Sequence, residues 1–399
     1  MDTLTEREIN SPRTRVGMTR RVMEFARANA FPIALFVALR VWTLVWASMV
    51  AAYVQPSASA AEQYYGVEPL RDAIIAPWQR WDTIWYSKIA TEGYADDVRV
   101  VFAPLYPLLM RAVSLVTAGN AVAAGLVISS IAALASFILL YHLARELLDE
   151  RAARRALLFL AAFPTAFYLF AAYTEAVFLA FILGAFLCMR RRQWWATGIL
   201  GALAAMTRTQ GVLVLLPFAV AFWFQWRHNE IRLRQVWALG LIVLGGSVHW
   251  LWLMLQFGSL EVWVQAQLVW HRAVLPWQAL FESWQTMVNA PSALEGALTF
   301  FQLSAEVLML GVMVWSARRL PLAYTAYTAI VALPPLLVVT TYSSQFPLTG
   351  VLRFAILVFP LFLLLGKIPK QWWQTPLLAL LFVVQTFWLM LFVAWVFVH

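Results

Sequence analysis

Asp82 stands in WQRWDTIWYSKIATEGY, residues 78–94, and VFAPLYPLLMR follows at 101–111. An acid among aromatic rings, followed by a proline pair, is a combination that can hold a carboxylate rigidly beside a substrate. Such a carboxylate can take a proton from a hydroxyl nucleophile. The segment from Asp82 to Glu92 reads as an interfacial helix. Trp81, Trp85 and Ile89 recur at helical spacing, and Gly93 supplies a stop. Two structural readings compete for Asp82: capping this helix or pairing with Arg80. Pro104 and Pro107 favour a helix start. Tyr106, between them, could face a sugar or an isoprenoid.

A second acid, Glu175, lies between two short apolar segments, after FYLFAAYT. A solvated face does not explain it; pairing with Arg208 or Arg353 does. Arg208 sits in MTRTQG and Arg353 near the start of an apolar span, after Ser343-Ser344-Gln345. Guanidinium groups at span ends either snorkel to the interface or bind phosphate through paired N–H donors. Lys88 and Arg272 are weaker phosphate candidates. Trp81, Trp85, Tyr86, Tyr106, Tyr173, Gln345 and His271 are the candidates for substrate contact. Arg40, within a span, is read as pairing internally.

The elements that must position these residues are membrane helices. Of 399 residues, 62% are apolar and 12% charged, and mean hydropathy is +0.73. Soluble domains carry about 25% charged residues. Apolar runs recur to the end of the chain at 31–54, 121–142, 156–170, 176–189, 195–206, 212–226, 236–256, 298–315, 321–341, 351–366 and 376–398. Several fall short of the ~20 residues that a straight span needs. The runs 156–170 and 176–189 are expected to end inside the protein, around a cavity. The run 105–117 is ambiguous between a span and a surface or re-entrant helix, which leaves the parity between residues 54 and 121 open. The reading is an all-α polytopic membrane protein with about 11–13 membrane segments, short or broken ones included. Interfacial helices are expected in the first external loop.

Basic residues fix the expected orientation. They gather at 145–155, 190–192, 227–234, 318–319 and 367–370, and residues 1–30 carry six arginines. Placing all of these in the cytoplasm makes 1–30 a cytoplasmic tail, with an amphipathic surface helix around 19–28. It also makes 31–399 one integral membrane domain, with external loops at about 55–103 and 257–297. Ala58-Ser59-Ala60 resembles a signal cleavage site, but the run before it is too long for a signal peptide and contains Arg40. Asp82, Glu175 and Arg208 then share the non-cytoplasmic face. The net charge of +9 lies largely in these connectors, so no nucleic-acid partner is implied. There is no HExxH, no Cys/His cluster, no GxxxxGK[ST] or GxGxxG loop and no GxSxG elbow. Cys188 is the single cysteine, which excludes an intrachain disulfide.

The pieces WDTIWYSKIATEGY, FAPLYPLL, FPTAFYLFAAYTEAVF, RRRQWWATGILGALAAMTRTQGVLVLLP and LRFAILVFPLF, taken in order, resemble the PIG-V-type mannosyltransferases. These are part of the GT-C group of integral membrane glycosyltransferases. The pieces run from Trp81 to Phe362, about two thirds of the chain. Two positions depart from the pattern: Ala103, where a second aromatic is expected, and Phe354, where the group usually shows Tyr after the arginine. The resemblance implies a GT-C fold and a polyprenyl-phosphate sugar donor, usually mannose. It implies inverting transfer on the non-cytoplasmic face, with a catalytic acid in the first external loop at the position of Asp82. Glu175 is the second catalytic candidate. No cofactor is required by this chemistry; Asp82 with Glu175 could hold a divalent metal, which is not expected. The acceptor is left open among a glycolipid, a lipid-linked glycan and a protein hydroxyl. A lipid or glycolipid flippase and a non-catalytic subunit of a glycolipid-assembly complex are the rival readings; no inverted repeat supports the first.

Overall fold

The computed structural model describes residues 23–54, 63–68, 71–95, 98–341, 347–348 and 350–396. Gln345, Asp96, Asp97, the Ala58–Ala60 motif and most of the N-terminal tail therefore lie outside the described residues. Among those described, six helical stretches are long and apolar enough to cross a membrane: Ala30–Tyr53, Ala121–Leu147, Thr209–Arg227, Leu233–Phe257, Ala293–Arg319 and Gln374–Val393. Shorter helices pack between them, and the chain is an integral membrane protein.

The elements that bear on the site are α1 (Ala30–Tyr53), α2 (Asp82–Glu92), α3 (Leu105–Ser114), α4 (Ala121–Leu147), α5 (Glu150–Ala162), α6 (Glu175–Arg190), α7 (Trp194–Thr207), α8 (Leu215–Arg227) and α9 (Trp237–Phe257). They are followed by α10 (Glu261–Trp270), β1 (His271–Ala273), α11 (Pro276–Val288), α12 (Ala293–Arg319), α13 (Leu322–Ala332), β2 (Val338–Thr340), α14 (Val351–Ala355), α15 (Phe359–Lys367) and α16 (Gln374–Val393).

The ambiguous run 105–117 becomes α3, ten residues long. At 1.5 Å per residue it extends about 15 Å, half of a hydrocarbon core. Its Tyr106 and Met110 are buried, and Tyr106 donates a hydrogen bond to the Gly125 carbonyl in α4 (3.1 Å). So α3 does not cross, and the end of α1 and the start of α4 share one side. Counting α5, α6, α7, α13 with the 3-10 turn that follows it, and α14 with α15, as crossings beside the six long helices, and α10 and α11 as lying on one side, the basic connectors 145–155, 190–192, 227–234, 318–319 and 367–370 all fall on the other side.

The run 156–170 is cut by Pro164, which cannot continue a helix. Helix α5 ends at Ala162, and a single 3-10 turn at Ala166–Leu169 follows. Phe167, Tyr168, Leu169 and Phe170 have no exposed surface. This irregular backbone is tolerated at membrane depth because it is enclosed in protein. The run 351–366 divides likewise into α14 and α15, with Pro360 in the first turn of α15.

Helices α7 and α9 pack closely because small residues line their contact. A Cβ on Gly198 would lie 2.2 Å from the Ala238 carbonyl oxygen. That approach fixes the axis of α7, whose C-terminal residue is followed by Arg208. The chain then doubles back over Gly211, where a Cβ would meet the Ala204 carbonyl oxygen at 2.6 Å.

Candidate active site

Four ionisable residues scattered through the sequence form one chain in space. Arg353 Nη1 donates to Asp82 Oδ2 at 2.6 Å. Arg353 Nε lies 3.1 Å from Glu175 Oε1, an ion-pair distance, although the N–H is not aligned for a hydrogen bond. Arg208 Nη1 donates to the same Glu175 oxygen at 3.0 Å and to Thr174 Oγ1 at 3.1 Å. The order is Asp82, Arg353, Glu175, Arg208, with alternating sign and no net charge. Mutual neutralisation is what permits such groups to sit away from water.

Three members are delivered by an element end and the fourth by a single short turn. Glu175 opens α6, Arg208 follows α7, Asp82 opens α2, and Arg353 sits in the short α14. Asp82 is placed by a strained turn. Trp81 has φ 42° and ψ −107°, a region that non-glycine residues adopt only when the surroundings enforce it. Here they do. The Trp81 ring packs against Phe392 and Trp395, with centroids 5.4 and 5.9 Å away. Arg80 is buried. It donates to the Val393, Ala76 and Gln79 carbonyls, and its guanidinium lies 4.4 Å over the Trp395 ring. Tyr173 Oη donates to the Arg80 carbonyl (3.0 Å) and Thr83 Oγ1 to the Ala172 carbonyl (3.2 Å).

Both structural alternatives for Asp82 give way to this arrangement. Trp81 occupies the N-cap position and no side-chain cap bond forms. Arg80 is committed to backbone carbonyls, and Arg353 is the partner of Asp82.

Exposure separates the two acids. The Asp82 side chain is 24% exposed and that of Glu175 is 0%. Only the first can touch a substrate without rearrangement; Glu175 instead holds the two arginines in place. Arg353 lies between the acids, ion-paired to both, in the position a shared divalent cation would take. Among the described residues, no group of three or more His, Cys, Asp or Glu side chains gathers as a metal site.

Arg208 borders a narrow, open crevice with Phe178, Ile330, Val331, Pro334 and Phe354, about 40 Å³ in volume. The guanidinium lies 4.8 Å over the Phe354 ring. A cation beside an apolar surface suits a lipid that carries an anionic head.

The aromatic candidates divide by contact. The Tyr173 ring lies 5.0 Å below the Arg353 guanidinium. Trp85 meets Trp270 edge to face at 6.4 Å, and Lys88 Nζ sits 5.1 Å over the Trp85 ring. Tyr86 and Tyr106 are buried against one another at 5.1 Å. Tyr106 also bonds Ser129 (2.9 Å), so it serves packing in this structure and does not face a cavity. Burial first, then the charges of Asp82 and Glu175, raise the Tyr86 hydroxyl above its ordinary range. Arg272 pairs with Glu282 on the surface. His271 opens β1, which pairs antiparallel with β2 and sets His271 opposite Thr340. Burial lowers its pKa, opposed by the charge of Asp82.

Sequence reasoning missed the parts that fix the turn before Asp82, namely Thr83, Trp395 and the carbonyl-binding role of Arg80, and Thr174, which accepts from Arg208. Their only local signal was the density of polar and aromatic residues around WQRWD and YTEA.

Three comparisons bear on this arrangement. Residues 102–252 match the family model described as dolichyl-phosphate-mannose-protein mannosyltransferase. GPI mannosyltransferase 2 of Cryptococcus neoformans, in two strains, is 28% identical over 158 residues. The match covers 36% of this chain and 37% of the fungal protein, so the chain spans just over a third of that relative's length. The crystal structure of ArnT from Cupriavidus metallidurans bound to undecaprenyl phosphate superposes with a TM-score of 0.50 at 13% identity. It covers 87% of this chain and 62% of ArnT. The fold is of GT-C type, and the chain is similar to mannosyltransferases over residues 102–252 and over the stretch aligned with the fungal protein.

Proposed function

We propose that this GT-C-type membrane protein is an inverting glycosyltransferase that moves a sugar, most simply mannose, from a polyprenyl-phosphate donor to a glycolipid or other lipid-linked acceptor. The observation that carries this reading is the four-residue charge chain, with its more accessible carboxylate at one end and, at the other, a guanidinium that borders an apolar crevice. The non-cytoplasmic face is proposed for the reaction, because the basic connectors lie at the opposite ends of the same helices.

Asp82 acts as the general base. It accepts the proton of the acceptor hydroxyl as that oxygen attacks the anomeric carbon from the face opposite the phosphate. The bond from that carbon to the phosphate oxygen breaks with its electron pair, and polyprenyl phosphate leaves. The acceptor oxygen keeps the sugar. A phosphate is already a good leaving group, so the donor side needs positive charge more than an acid. Arg208, at the head of the crevice, supplies it. Arg353 aligns Asp82 through its hydrogen bond to Oδ2, and Glu175 holds both arginines. With both acids already matched by guanidinium groups, the reaction as proposed runs without a divalent metal.

The test is transfer by the purified protein from a polyprenyl-phosphate mannose to lipid extracts, beside reactions supplied with a nucleotide sugar and reactions with a chelator. Product is expected with the lipid-linked donor, chelator present or absent. Product from the nucleotide sugar alone would refute the donor assignment. Lipid movement across vesicles without any transfer would favour the flippase.

A further inference from the structure

A second concavity, away from the charge chain, lies at the other end of the same helices. Helix α6 runs from Glu175 to Arg190 and α7 returns from Trp194 to Thr207. With 16 and 14 residues they rise about 24 and 21 Å. The turn between them meets the connector joining α8 and α9. Together they form a depression of about 700 Å³ lined by Arg192, Trp195, Glu230, Arg232, Arg234 and Trp237. Arg192 pairs with Glu230 at 3.2 Å. Three arginines against one glutamate leave two positive charges without an acid in the lining.

Depth is indicated by the two tryptophans. Trp195 is 54% and Trp237 73% exposed, and each stands in the first turn of an apolar helix. Indole rings so placed sit at headgroup level in a bilayer. A cationic depression at that level faces lipid headgroups and not open solvent. Basic pockets between membrane helices select anionic headgroups on this basis. Helix α7 also begins without a side-chain cap, so its first N–H groups add partial positive charge at the rim.

We propose that this depression binds the phosphodiester headgroup of an anionic phospholipid, on the membrane face opposite the charge chain. Arg232 and Arg234 hold the phosphate, Arg192 is steadied by Glu230, and Trp195 and Trp237 flank the acyl-chain side.

Native mass spectrometry of the full chain, titrated with phosphatidylglycerol or phosphatidylcholine, tests the proposal. Glycerol 3-phosphate and inorganic phosphate serve as competitors. Saturable binding of phosphatidylglycerol over phosphatidylcholine is expected. The double variant Arg232→Gln/Arg234→Gln should bind about thirty-fold more weakly, while Arg232→Lys/Arg234→Lys should bind within a few-fold of wild type. Equal binding of the two lipids, or unchanged affinity in the Gln variant, would overturn the proposal. Full displacement by inorganic phosphate at matched concentration would assign the site to a free anion and also overturn it. None of these readouts depends on sugar transfer, so the outcome is independent of the proposed reaction.

Discussion

Arg353→Met removes the cation shared by Asp82 and Glu175. The two acids then differ in what they lose. Asp82 is partly exposed and can hydrate, so its loss is about 0–1 kcal/mol. Glu175 has no exposed surface and keeps Arg208 at 3.0 Å. Breaking a buried pair costs roughly 3–5 kcal/mol, and the surviving arginine places the expected loss near the low end, about 3 kcal/mol. Glu175→Gln leaves the opposite imbalance and is expected to cost about 2–3 kcal/mol, the worth of charge-assisted hydrogen bonds. The double variant restores neutrality, since only Asp82 and Arg208 remain charged. It should therefore lose less than the sum of the single variants, by about 1–2 kcal/mol. Denaturant unfolding in a single detergent measures all four corners of the cycle. Transfer activity should not recover with stability in the double variant, because nothing then aligns Asp82. Additivity within about 0.5 kcal/mol would show that the four groups are not one electrostatic unit.

Three further outcomes are expected. Gly198→Ala should cost roughly 1–3 kcal/mol through overpacking against the Ala238 carbonyl, seen as a lowered unfolding midpoint; an unchanged midpoint would place the α7–α9 contact elsewhere. Arg208→Ala should weaken donor use by about one to two orders of magnitude, from the ~1.5–3 kcal/mol of a charge-assisted contact, and the loss should appear when donor concentration is varied and not when acceptor is. His271 has a folded pKa below its ordinary 6.5, so the unfolded chain binds the proton more readily. Its contribution to stability is present above about pH 6.5 and is lost as pH falls through the folded value. His271→Gln should therefore flatten the loss of stability on acidification, and a steeper loss in the variant would reverse the assigned sign.

Much of the fold was legible because apolar runs and basic connectors are local signals. Residues 31–54, 121–142 and 236–256 are continuous apolar stretches, and each became a helix within a few residues of its expected limits. The arginine clusters at 190–192 and 318–319 marked helix ends directly. The site was legible only as candidates. Asp82 and Arg353 are 271 positions apart, and nothing in either neighbourhood encodes the other. Pairing was anticipated for Glu175 with Arg208 or Arg353; the structure gives it both. Arg353 was read both as a phosphate ligand and as a partner of Glu175; the structure pairs it with Glu175 and with Asp82. The helix start near Asp82 was visible in the spacing of Trp81, Trp85 and Ile89. Its left-handed entry at Trp81 was not, because the turn is enforced by Phe392 and Trp395 from the far end of the chain.

The central claim is that Asp82 takes the proton of the acceptor, and Asp82→Asn tests it most directly. The amide keeps the shape of the side chain and removes its basicity. With purified, folded protein and a polyprenyl-phosphate mannose donor, transfer should fall by about 10²–10⁴-fold, with donor affinity changed far less than turnover. Transfer within a few-fold of wild type would contradict the account and remove Asp82 as the base.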